Sequence, residues 1–221
     1  MQDYQQQFIQ YALDCGVLKF GEFQLKSGRI SPYFFNTGLF NTGAQLDKLG
    51  QFYAQALINS GHQVDVLYGP AYKGIPLVST TSIAYSRIKA DIPFAFNRKE
   101  AKDHGEGGIV VGAPLAGRVL IIDDVITDGA AKRESVALIH AHGAQPAGVV
   151  IMLDRRERTG ADESLSTESA VQAFERATGT PVVSIADVNN LLGFLRSDSP
   201  YAASVRHQLP ALEKYRNRYG A

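Results

Sequence analysis

The chain has 221 residues, 22 Lys+Arg against 22 Asp+Glu, 45% hydrophobic and 20% charged residues, and one cysteine, Cys15. This composition predicts a single globular domain with an ordinary core. It argues against a polyanion-binding surface, which needs a basic excess or stripe, and it excludes an intrachain disulfide or thiolate metal cluster.

The N-terminal residues show no basic n-region or apolar h-region, and no apolar run reaches the roughly 18 residues of a membrane span. Neither nucleic acid nor membrane is expected as a partner, and the expected compartment is the cytoplasm. Tyr4, Phe8, Ala12 and Cys15 predict a helix over 3–15, with Cys15 in the core and Gly16 as the stop. Val17–Asn36 reads as short extended pieces around the turn Lys26-Ser27-Gly28-Arg29. Leu46, Leu49, Phe52, Tyr53, Ala56 and Leu57 predict an amphipathic helix over 44–59. A strand Val64–Tyr68, a helix Ile75–Ile88 and a strand Pro93–Phe96 follow. Residues 98–112 combine charges with glycines and lack an apolar anchor, which predicts a mobile loop. Beyond it come a strand Arg118–Asp124, a helix 131–142 and a strand Gly148–Leu153. Helices 164–178 and 187–195 flank a strand Pro181–Ile185, and a last helix spans 200–219.

Short apolar strands alternating with helices predict an α/β fold with a parallel sheet covered on both faces. Ligands of such sheets sit beyond the carboxyl ends of the strands. That rim would gather Tyr68-Gly69-Pro70, Asn97-Arg98, Asp123-Asp124 and Asp154-Arg155. The sharpest motif lies there: the apolar strand Val119–Ile122 runs into Asp123-Asp124, then Val125, Ile126, Thr127, Asp128, Gly129, Ala130 and Ala131, then a helix. Loop and helix-terminal amides suit a phosphate, and paired carboxylates suit a ribose diol or a cation on a diphosphate. The loop is neither a Walker A motif nor a dinucleotide fingerprint. His62, His140, His142 and His207 read as surface residues.

This segment resembles the phosphoribosyl-diphosphate signature of type I phosphoribosyltransferases. Together with Phe20-Gly21-Glu22-Phe23, Leu25-Lys26-Ser27-Gly28-Arg29, Ser31-Pro32-Tyr33-Phe34-Phe35-Asn36, Gly69-Pro70-Ala71-Tyr72-Lys73-Gly74 and Asn97–Gly107, it resembles the bacterial orotate phosphoribosyltransferases over roughly residues 1–200. The resemblance implies a type I phosphoribosyltransferase fold: one domain over 1–221 with a central, mostly parallel sheet flanked by helices. A small N-terminal hood would span about 1–40 and a catalytic loop about 98–112. It implies transfer of phosphoribose from phosphoribosyl diphosphate to orotate in UMP synthesis. Mg²⁺ would be held mainly by diphosphate and ribose, near Asp123 and Asp124.

By the same resemblance, Lys102, Asp123, Asp124 and Lys73 carry catalysis. Lys26, Tyr72, Lys73, Arg98, Lys99, Lys102, His104, Asp123 and Asp124 bind phosphoribosyl diphosphate. Val125 and Ile126 also bind it, and Thr127, Asp128, Gly129, Ala130 and Ala131 surround its 5′-phosphate. Phe34, Phe35, Thr127 and Arg155 take orotate, with Lys26 also at the base pocket and Arg155 on the carboxylate. A homodimer is implied, in which the 98–112 loop reaches the partner's site.

The phosphate loop departs from the family's usual Thr-Ala-Gly-Thr-Ala. Asp128 adds a carboxylate beside an anion site, Ala130 lacks a hydroxyl donor, and Lys132 offers a compensating charge. An impaired or purely sensory relative therefore stays open as an alternative, as does a transferase for another base.

Overall fold

The computed structural model of the chain describes residues 1–25, 27–102, 108–160 and 164–221. In chain order the elements are α1 (Asp3–Asp14), β1 (Leu18–Gln24), β2 (Ile30–Phe35), α2 (Gly43–Ser60), β3 (Val66–Gly69), α3 (Gly74–Ile88), β4 (Phe94–Lys102), β5 (Gly108–Gly112), β6 (Arg118–Ile122), α4 (Ala130–Ala141), β7 (Gln145–Asp154), α5 (Ala170–Thr178), β8 (Val182–Asp187), α6 (Val188–Arg196), α7 (Pro200–Val205) and α8 (Leu209–Tyr219). They form two compact units. One comprises Met1–Asn41, Leu153–Ala173 and Ala186–Ala221; the other comprises Thr42–Met152 and Phe174–Ile185. Residues 1–40, predicted as a hood, thus belong to a larger unit that also draws on later parts of the chain.

The first unit holds the antiparallel hairpin β1–β2, bulged between Phe20 and Phe23. α8 packs on β2, and α6 packs on both α1 and α8. The second unit contains most of a six-stranded sheet in the order β5-β4-β3-β6-β7-β8. β3 runs parallel to β4 and β6, and β6 parallel to β7. β6 is buried from Val119 through Ile122, so both faces of this strand are covered; such a strand needs a continuous apolar run rather than an alternating one. α2 packs on α3, α3 on β3 and β4, and α4 on β6. α2 starts on a reciprocal cap: Thr42 Oγ1 accepts the Gln45 N–H at 3.3 Å and Gln45 Oε1 accepts the Thr42 N–H at 3.1 Å. No helix among the described residues is long and apolar enough to cross a membrane.

Four expectations are corrected. Residues 98–112 are not a loop throughout: β4 continues to Lys102 and β5 returns antiparallel to it, pairing Asn97 with Val110 and Lys102 with Gly108. The β-branched run Ile109-Val110-Val111 supplies that edge strand, while the charges of 98–102 hid the extension of β4. The helix expected from 164 starts at Ala170, because Ser169 and Gln172 form its cap (Gln172 N–H to Ser169 Oγ, 3.2 Å) and Ser166 is bonded back to Thr159. The tail is not one helix. α7 gives way to a 3₁₀ turn over Arg206–Gln208 before α8, where Pro210 has no N–H to return to the preceding turn. Cys15 is half-buried at the C-terminal cap of α1 rather than in the core.

Candidate active site

In the second unit the parallel strands β3, β4 and β6 bring their carboxyl ends to one edge of the sheet. Gly69 closes the turn from β3 into α3. A Cβ there would stand 2.2 Å from the Gly74 carbonyl oxygen, and one on Gly74 would stand 2.6 Å from the Pro70 ring. Only glycines allow this approach. Asn97, on β4, fixes the turn sideways: its Oδ1 accepts the Tyr68 hydroxyl at 2.9 Å and the Ala71 N–H at 2.8 Å. The turn presents Tyr72, 65% exposed, with the Lys99 ammonium 5.1 Å from its ring centroid. Lys73 reaches across to donate to Asp124 Oδ2 at 2.8 Å.

β6 delivers Asp123 and Asp124, both buried. Asp123 Oδ1 accepts the Asp124 N–H at 2.9 Å, and Asp124 Oδ1 accepts the Val125 N–H at 2.7 Å. Tyr53, wholly buried on α2, donates its hydroxyl to the Asp123 carbonyl at 2.7 Å. Burial, with the two carboxylates nearby, pushes the Tyr53 phenol well above its ordinary pKa and keeps that proton in place. Lys132, on the first turn of α4, folds back to Asp123 Oδ2 at 2.6 Å and to the Val125 carbonyl at 2.7 Å. The two acids titrate apart. Burial raises Asp123 in spite of Lys132. At Asp124, burial is outweighed by the Lys73 bond, the Val125 amide and both ammonium groups, and its pKa falls.

The loop after the acids keeps Thr127 and Asp128 exposed and turns into α4 through Gly129, whose φ of 74° is left-handed. Asp128, exposed, caps the turn with its side chain. Its Oδ1 accepts the Ala130 N–H at 3.0 Å, and its backbone carbonyl accepts from the Arg133 guanidinium at 2.9 Å. The predicted phosphate-loop residues Val125 to Ala131 are thus one turn at a helix N-terminus. Lys132, expected to offer a compensating charge to the loop, is directed at the acids instead.

In the first unit, strand alternation separates Phe34 from Phe35. Phe34 is 39% exposed and stacked on Phe23 with centroids 5.5 Å apart, while Phe35 packs on Phe8 at 6.2 Å. Neighbouring strand residues face opposite sides, so the two rings do not form one wall. Arg155 lies over the Tyr33 ring at 4.2 Å. Its Nε donates to Glu157 Oε1 at 2.8 Å and its NH2 group to Ser31 Oγ at 3.0 Å. Arg98 lies half-buried on β4. Lys26, His104 and the side chain of Lys102 lie outside the described residues. The sequence placed Asn97 on the rim but not its bonds to Tyr68 and Ala71, and it did not reveal Tyr53, Glu157 or the inward turn of Lys132. The only available signal for Lys132 was its place on the first turn of the helix that follows the acid pair.

A profile of the phosphoribosyl transferase domain matches residues 39–184. An orotate phosphoribosyltransferase of Bordetella petrii is 57% identical over 217 residues, which cover 96% of this chain and 95% of that protein. One from Pseudomonas paraeruginosa is 57% identical over 221 residues and covers 100% of both. The crystal structure of the Francisella tularensis orotate phosphoribosyltransferase is 42% identical, with a TM-score of 0.83 over 97% of this chain and 100% of that one. With paired acids, a glycine-turned loop and a helix N-terminus in that order after a buried strand, and with relatives this similar along its whole length, the chain belongs to the phosphoribosyltransferase family, in its orotate phosphoribosyltransferase branch.

Proposed function

We propose that this chain transfers the phosphoribosyl group of 5-phospho-α-D-ribose 1-diphosphate to orotate, giving orotidine 5′-monophosphate and diphosphate on the route to UMP. The observation that carries the reading is the acid pair at the end of β6, engaged by Lys73 and followed by the Gly129 turn into α4. In the reaction the bond from the anomeric carbon to the diphosphate oxygen breaks, and a bond to orotate N1 forms. Positive charge builds on the sugar and negative charge on the leaving group.

The residues serve that charge separation. The amides of the loop 127–131 point at the 5′-phosphate with the positive end of α4 behind them. Asp124 accepts from the ribose hydroxyls, and the Val125 amide and the Lys132 ammonium still favour its ionised form once Lys73 has moved. Lys73, bonded to Asp124 but with its side chain 65% exposed, exchanges that carboxylate for diphosphate oxygens. Tyr72 and Lys99 stand beside the same leaving group, and Arg98, Lys102 and His104 complete its cover. Mg²⁺ characteristically takes one or two carboxylates together with substrate phosphates, and the acid pair fits that demand. The ion would be held mainly by diphosphate and ribose, beside Asp123 and Asp124, and when bound it neutralises leaving-group charge. Orotate is a flat anion. The exposed Phe34 ring suits its face, and Arg155, pre-oriented by Glu157, Ser31 and the Tyr33 ring, suits its carboxylate. Lys26 would complete the base site. The working form is a cytoplasmic homodimer in which the β4–β5 segment contributes Lys102 to the partner.

Loss of orotate absorbance with phosphoribosyl diphosphate and Mg²⁺ tests the reading. Turnover with orotate, and none with uracil or hypoxanthine, is the expected result. A folded protein that consumes uracil or hypoxanthine instead would overturn the substrate assignment.

A further inference from the structure

Lys132 reaches both acids, 2.6 Å from Asp123 Oδ2 and 3.9 Å from Asp124 Oδ1, but the nearest cation of each acid differs. Both oxygens of Asp123 are occupied from inside: Oδ1 takes the Asp124 N–H at 2.9 Å and Oδ2 takes Lys132 Nζ at 2.6 Å. The Lys132 side chain is 9% exposed and its ammonium is also anchored on the Val125 carbonyl at 2.7 Å. Asp124 Oδ2 is held instead by Lys73, whose side chain is 65% exposed. A buried ammonium cannot leave its carboxylate without stranding a charge, whereas an exposed one swings away at little cost. A ribose diol brings hydroxyl donors and needs acceptor oxygens with room to take them.

We propose that Lys132 is an internal competitor for the sugar: it ties off Asp123, so that of the paired acids Asp124 alone turns to the ribose hydroxyls when Lys73 moves to the diphosphate. The proposal rests on the reading of the acid pair as the ribose site. It assigns to Lys132 a control over co-substrate affinity that lies in the first turn of α4, outside the phosphate loop itself. Removing Lys132 leaves Asp123 Oδ2 without its ammonium partner and open to a hydroxyl donor of the diol.

Calorimetric titration of phosphoribosyl diphosphate with Mg²⁺ into three proteins tests it: the parent chain, Lys132→Met and Lys132→Met with Asp123→Asn, each checked for folding by thermal melting. Lys132→Met is expected to bind up to about tenfold tighter, the upper end of what one ordinary hydrogen bond is worth. Adding Asp123→Asn should abolish the gain. In turnover, KM for phosphoribosyl diphosphate should fall while KM for orotate stays. A purely structural role for Lys132 would not produce that split. Binding that is no tighter in Lys132→Met overturns the proposal, and weaker binding would mean that Lys132 orients Asp123 toward the sugar. A gain that survives Asp123→Asn overturns it as well. Should Lys132→Met not fold, Lys132→Gln keeps a donor for the Val125 carbonyl, removes the charge and carries the same expectations. A folded parent that binds no phosphoribosyl diphosphate would overturn the ribose-site reading itself, a result distinguishable because it needs no substitution.

Discussion

At Asp128 a carboxylate accepts the Ala130 N–H, one of the amides that a bound phosphate would claim. The side chain is therefore both a local cap and an anion placed where another anion must come. Removing it frees the amide and lifts the repulsion. Asp128→Ala is expected to tighten phosphoribosyl diphosphate about tenfold, since a hydrogen bond to a charged group is worth roughly 1.5–3 kcal/mol. Adding Ala130→Thr supplies a hydroxyl donor and should tighten it further; titration calorimetry reads both. Unchanged affinity would mean that the Asp128 side chain swings aside freely. The residue identities that pose this question are plain in the sequence, but the direction of the Asp128 side chain is not. A carboxylate beside a helix start can cap it or face water, and only the folded turn decides.

The turn between β3 and α3 shows how an element's backbone serves its side chains. Gly69 and Gly74 touch backbone to backbone, and this places Tyr72 and Lys73 at the strand end. Gly69→Ala forces a methyl into the Gly74 carbonyl. It should cost about 1–3 kcal/mol as overpacking, read from urea unfolding, and should raise KM for phosphoribosyl diphosphate by displacing Lys73. Asp65, just before β3, ties that strand to the start of β6: it accepts from the Arg118 N–H at 2.8 Å and from the guanidinium at 2.9 and 2.8 Å. These bonds, the side-chain ones foremost, hold its carboxyl down at about 2. A depressed folded-state pKa gives stability that is present above the ordinary carboxylate range and lost as pH falls through the folded value. Unfolding midpoints should therefore drop between pH ~4 and ~2, and Asp65→Asn should flatten that part of the profile. An unchanged slope in Asp65→Asn would assign the acid sensitivity to other carboxylates. Among the elements, β3, β6 and β7 are legible because a strand covered on both faces needs a continuous apolar run. β5 and the far half of β4 are not, because an edge strand tolerates charges that read as loop.

For the whole molecule, the proposed sharing of Lys102 between subunits predicts complementation. Mixing Lys102→Ala chains with Asp124→Asn chains should restore part of the activity, since one of the two sites then has both groups. Mixed dimers that stay inactive would argue that each subunit supplies its own Lys102. The sequence by itself determined the α/β class, the order of most elements, the acid pair, the glycine turn that follows it and the family they resemble. These rest on local patterns: apolar runs, glycines at turns, and acids straight after a buried strand. Only the tertiary structure decided which partners those groups hold. Lys132 turning to Asp123, Asn97 bracing the Tyr68–Ala71 turn, Glu157 and Ser31 engaging Arg155, and Phe34 parting from Phe35 are contacts between side chains and between segments. Each is set by distances that close only when strands and helices distant in the chain are packed together, and hydrophobic periodicity carries no record of them.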